Sequence, residues 1–109
     1  MRILVANDPR AYRDVIAGVL RVLFIDAEVI TAEPDEVDAA ILELTPQIVV
    51  CSTLTDTVET HIPAWILLYP GGTGVAVLSI AGQRTSVDGI EFEGLLTLVR
   101  QASELSPAG

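Results

Sequence analysis

The chain is short of cations and of cysteine, and each shortage excludes something. Its 109 residues carry six Lys plus Arg against fifteen Asp plus Glu, a formal net charge of −9. Binding to phosphate needs clustered basic residues, so nucleic acid is not expected as a partner. The same charge argues against an anionic membrane surface. The one cysteine, Cys51, rules out an intrachain disulfide and fits a reducing compartment. The longest apolar stretch, residues 15–25, is interrupted by Arg21 and is too short to span a bilayer. The opening Met1-Arg2-Ile3 lacks the charged region, apolar region and small-residue cleavage site of a signal peptide. A soluble, cytoplasmic protein is therefore expected.

Apolar residues make up half of the chain, and its length suits one domain that buries a core without staples. We place that domain at residues 1–104 and read residues 105–109 as a frayed tail. The large apolar share beside few charges points to apolar surface covered by a second copy, so a homodimer is expected.

Ile3-Leu4-Val5-Ala6 is a short apolar run of the kind found in strands buried on both faces. Asn7-Asp8-Pro9 ends it, with Asp8 suited to cap a helix and Pro9 to its first position. Tyr12, Val15, Ile16, Val19, Leu20 and Leu23 then recur at helical spacing, with Arg10, Arg13, Asp14 and Arg21 on the other face. Residues 27–32 predict a second strand. Pro34-Asp35-Glu36 opens a second helix with stripe Val37, Ala40, Ile41 and Leu44, and Pro46 ends it. Its acidic residues Asp35, Glu36, Asp38 and Glu43 read as a solvated face. Gln47-Ile48-Val49-Val50-Cys51 predicts a third strand. The β-α-β-α-β order with right-handed crossovers gives a parallel sheet with the second strand outermost.

Beyond Cys51 the pattern changes. Residues 52–60 are polar, with a single helical turn near residues 56–60. Residues 64–69, 75–80 and 85–87 predict strands, separated by Pro70-Gly71-Gly72-Thr73-Gly74 and Ala81-Gly82-Gln83-Arg84. Those connections are too short for crossover helices, so antiparallel hairpins are expected. Residues 91–103 carry Phe92, Leu95, Leu96, Val99 and Ala102 at helical spacing and predict a C-terminal helix. The fold class is α/β, parallel in its first half and antiparallel in its second.

Arg2-Ile3-Leu4-Val5-Ala6-Asn7-Asp8, Tyr12-Arg13, Pro46-Gln47-Ile48-Val49-Val50-Cys51-Ser52 and Leu95-Leu96-Thr97-Leu98-Val99-Arg100 together resemble the receiver domain of bacterial response regulators. The likeness covers residues 2–52 and the C-terminal helix. It implies a flavodoxin-like, three-layer sandwich. It also implies what is lost. Ser52 stands where a receiver has its phosphoacceptor aspartate, and Asn7 replaces one of the acidic pair, leaving Asp8. Ser79 is the nearest match to the receiver's hydroxyl residue. Asp88 falls where the final-strand lysine would be. A serine hydroxyl cannot replace a carboxylate nucleophile, and phosphoryl transfer rests on positioning and charge balance. The resemblance therefore implies a pseudo-receiver, a regulatory or protein-interaction module that is not an enzyme. A lone Asp8 would hold Mg²⁺ weakly or not at all without phosphate, so no metal and no cofactor is expected.

Asn7, Asp8, Ser52 and Thr53 converge at one sheet edge if the parallel topology holds, which offers an alternative reading as a small-ligand site. For Asp8, helix capping competes with that role; for Ser52, Thr53 and Thr55, turn and cap chemistry does. Cys51 reads as a buried core thiol rather than a nucleophile, because His61, the only histidine, is ten residues away and no cation adjoins it. Pro70-Gly71-Gly72-Thr73-Gly74 lacks the Lys-Ser/Thr ending of a phosphate loop and reads as a hairpin. Trp65 and Tyr69 share one strand face and are either packed under the C-terminal helix or presented to a partner.

Overall fold

The computed structural model describes residues 1–68, 75–88, 94, 97 and 99–101. Six strands form one mixed sheet: β1 (Arg2–Ala6), β2 (Glu28–Thr31), β3 (Ile48–Cys51), β4 (Ala64–Leu68), β5 (Val75–Ile80) and β6 (Gln83–Asp88). The helices are α1 (Arg10–Leu23), α2 (Val37–Leu44), which follows a 3-10 turn at Pro34–Glu36, and α3 (Asp56–His61). Gly94, Thr97 and residues 99–101 are also helical, in the segment expected to form the last helix.

The strand order is β2-β1-β3-β4-β5-β6. β1 pairs in parallel with β2 and β3, and β3 with β4, while β4/β5 and β5/β6 are antiparallel. The parallel part thus extends one strand beyond β-α-β-α-β, because the short α3 supplies a third crossover. A flavodoxin-like sheet runs 2-1-3-4-5 with its fifth strand still parallel. Here the fifth strand reverses and a sixth is added, so the order differs from that arrangement.

Strand alternation sends side chains to two cores. Ile3, Val5, Ile48, Val50, Ala64 and Ile66 pack against Ile16, Ala17 and Leu20 of α1 and against Val99. Leu4, Ala6, Val49, Cys51, Trp65 and Leu67 pack against Val37 and Ile41 of α2 and against Val58 and Ile62. Both faces of the central strands are covered, which is why these strands read as continuous apolar runs.

Two expectations for α1 are corrected. Pro9, not Asp8, occupies the cap position, and no side chain caps this helix. The Asp8–Pro9 peptide bond is cis. The buried face is Arg13, Ile16, Ala17 and Leu20, rotated from the apolar stripe. Val15, Val22 and Leu23 are exposed as a result. Arg13 is only 3% exposed. Its guanidinium makes a two-pronged bond to Glu33, at 3.0 and 3.3 Å, and donates to the Ala32 carbonyl at 3.3 Å. A buried cation is tolerated there because its fork donors are matched by acceptors.

The β5–β6 turn is tighter than expected. Ile80 and Gln83 are cross-strand partners, so only Ala81 and Gly82 lie between the strands. Both have positive φ, +52° and +85°, which defines a type I′ hairpin whose twist matches the flanking strands. β6 therefore begins at Gln83, two residues before the strand expected from sequence.

Candidate functional site

The strand ends of β1 and β3 bring Asn7, Asp8 and Ser52 together. Ala6 and Cys51 are register partners, so the residues that follow them leave the sheet side by side. α1 returns to β2 on one side and α3 leads to β4 on the other, so the two chains diverge here. This is the switch-point geometry at which open α/β sheets hold ligands. The backbone N–H of Asp8 donates to Ser52 Oγ at 3.0 Å. Ser52 thereby acts as a backbone acceptor that ties the two loops together.

Asn7 is 2% exposed, and its Oδ1 has no hydrogen-bond partner among the described residues. A buried amide oxygen left unpaired is costly and unusual in a folded protein. Asp8 and Thr53 are exposed. Among the described residues, no three or more His, Cys, Asp or Glu are grouped to hold a metal ion.

The remaining sequence candidates fall elsewhere. Ser79 pairs with Trp65 and Arg84 in the antiparallel part. Its level in the sheet is that of Val49, three residues short of Ser52, or about 10 Å at the rise of a strand. It is not the hydroxyl at the end of the parallel strand that follows β3, because β5 runs in the reverse direction. Asp88 lies in β6, three strands from β3, and does not join the cluster. All six basic residues are arginines, so no lysine ammonium is available to balance charge there.

Trp65 is corrected as an interface residue. It is 2% exposed and packs in the α2/α3 core. The Arg84 guanidinium lies 5.1 Å from its ring centre, and Arg84 also forms an ion pair with Glu59 of α3. A cation over the indole closes that ring off from a partner. Tyr69 and the Pro70–Gly74 turn lie outside the described residues.

Cys51 is buried, and desolvation pushes its thiol from an ordinary 9.0 up to about 12. It stays a thiol at neutral pH, which removes it as a nucleophile. His61 is exposed at the end of α3, with Nδ1 3.3 Å from the Thr57 carbonyl oxygen. Thr55 takes the cap role that the polar stretch allowed. Its Oγ1 accepts from the Val58 N–H at 3.2 Å and donates to Asp38 at 2.7 Å.

Sequence reasoning missed Arg13 and Arg84. Arg13 carried a signal, since positions 13, 16, 17 and 20 form one helical face, but an arginine on it looked like surface. Arg84 had none, because its partners Trp65 and Glu59 are distant in the chain.

Comparison of the chain with protein-family models, with curated proteins and with solved structures returns no match. Among the described residues, no helix is long and apolar enough to cross a membrane.

Proposed function

We propose that this chain is a non-catalytic, receiver-like regulatory or protein-interaction module. The observation that carries the reading is the strand-end contact of Asp8 with Ser52. Two parallel strand ends meet there, but the hydroxyl accepts a backbone hydrogen bond and Asn7 beside Asp8 is a neutral amide. An acyl phosphate has no carboxylate to form on at Ser52, and charge balance by lysine is absent.

Action by protein contact is supported by α1. Val15 and Val22, 59% and 77% exposed, lie seven residues apart on one helical face, and Ile25 beyond the helix is 86% exposed. Large apolar side chains left this exposed on one side of a helix are available for contact with a partner. A second copy of the chain is one partner that such a module would take.

The test uses the protein as bait in extract of its native cell, beside a Val15→Glu/Val22→Glu variant. A partner retained by the parent and lost by the variant, at equal thermal midpoints, is the expected result. Phosphoryl label incorporated at an aspartate from a small phosphodonor with Mg²⁺ would sink the non-catalytic reading.

Asn7 favours a second reading, a small-ligand site at Asn7, Asp8, Ser52 and Thr53. Its buried Oδ1, unpaired among the described residues, would accept a hydrogen bond from a ligand donor. A thermal-shift screen with Mg²⁺, nucleotides and phosphorylated metabolites tests it; no shift that depends on Asn7 leaves it without support.

A further inference from the structure

We propose that β6 is the edge through which two copies of this chain join into one continuous antiparallel sheet. The proposal rests on the reading of the chain as an interaction module, and it names the partner and the surface. Among the described residues β6 is the last strand of the sheet and pairs on one side with β5. Its six residues match β5 one for one, so no bulge twists the edge away; it contains no Pro, and its charged residues, Arg84 and Asp88, are of opposite sign. Residues 83–86 are exposed. Bulges, Pro and like charges blunt natural edge strands, and an edge whose charges can pair with a second copy remains a template for another strand.

The hairpin decides which backbone groups face outward. In a two-residue type I′ turn, Ile80 and Gln83 form the hydrogen-bonded pair that closes the loop. Antiparallel ladders alternate, so Leu78/Thr85 and Ala76/Val87 are the next hydrogen-bonded pairs. Arg84, Ser86 and Asp88 are left in the intervening pairs. Their N–H and C=O groups point away from β5, toward the side on which no described strand pairs.

Only outward residues can pair across a new ladder. The two-fold register that uses all three sets Ser86 opposite Ser86 of the second copy and Arg84 opposite its residue 88. That register also places an arginine opposite an aspartate at both ends, which is favourable for cross-strand neighbours. Full use of the backbone groups and charge complementarity thus select the same register. Arg84 already engages Glu59, but its side chain is 55% exposed and its guanidinium has five donors to share. The joint is isologous, as a two-fold dimer requires.

Amide exchange of the full chain, measured by NMR at rising protein concentration, tests the pairing. The N–H groups of Arg84, Ser86 and Asp88 should exchange fast in dilute solution and slow as concentration rises. Those of Thr85 and Val87, bonded within the hairpin, should be slow throughout. In sedimentation, Arg84→Asp and Asp88→Arg should each weaken dimerisation severalfold by setting like charges opposite. An equimolar mixture should restore a heterodimer, because each variant supplies what the other lacks. Ser86→Pro should abolish the dimer while keeping the hairpin, since only an outward N–H is lost. Three results would overturn the proposal: exchange at the three residues that ignores concentration, a dimer insensitive to all three variants, or a strict monomer at NMR concentrations. Each would leave the module reading standing if extract capture still depended on Val15 and Val22.

Discussion

The backbone N–H of Asp8 donates to the Ser52 hydroxyl across the ends of β1 and β3. Ser52→Ala removes the acceptor, and because Asp8 is exposed, water replaces it. A loss of about 0.5–1.5 kcal/mol in denaturant unfolding is expected, with faster amide exchange at Asp8.

Asn7→Asp with Ser52→Asp would put three carboxylates at these strand ends. Mg²⁺ favours such clusters of hard oxygen ligands. The double variant should gain a Mg²⁺-dependent rise in thermal midpoint and heat of Mg²⁺ binding in calorimetry, while the parent shows neither. An equal response from the parent would contradict the account of Asn7 and Ser52 as neutral replacements.

Burial of Cys51 makes a pH prediction. The unfolded thiol ionises near 9.0, whereas the folded one holds its proton up to about 12. Between those values the folded state binds more protons, so its stability falls as pH rises, by at most about 1.4 kcal/mol per unit from this group. Below pH 9 this contribution is fully present. Cys51→Ala should flatten the alkaline limb of the unfolding profile, and folded parent protein should resist alkylation at neutral pH.

Ala81 holds a left-handed φ of +52° at the first position of the β5–β6 turn. A Cβ is disfavoured in that conformation, which Gly and Asn adopt more readily. Ala81→Gly or Ala81→Asn should stabilise the fold by about 0.5–1 kcal/mol, read as a higher denaturant midpoint.

Arg13 joins α1 to the segment after β2 through Glu33 and the Ala32 carbonyl. Arg13→Ala empties a buried site and strands these acceptors, so a loss of about 2–4 kcal/mol is expected. Glu33→Ala should cost less, because Glu33 lies at the surface, where water can solvate the guanidinium that remains.

The apolar runs at β1, β3, β4 and β5 were legible in the sequence because central strands are buried on both faces and leave no room for polar residues. The two hairpins were legible because the connections are too short for anything else. By itself the sequence also determined that Asn7 and Ser52 are neutral and Asp8 acidic, since side-chain identity does not depend on folding. Tertiary structure decided the rest. It turned α1 so that Arg13 faced inward, onto Glu33 and the Ala32 carbonyl, and Val15 outward. It drew Trp65 beneath Arg84 and Glu59, and it placed Ser79 on a strand running the other way. Among the described residues it also left Asn7 Oδ1 unpaired and the outward groups of β6 without a neighbouring strand, because burial and pairing depend on which segments, distant in the chain, become neighbours.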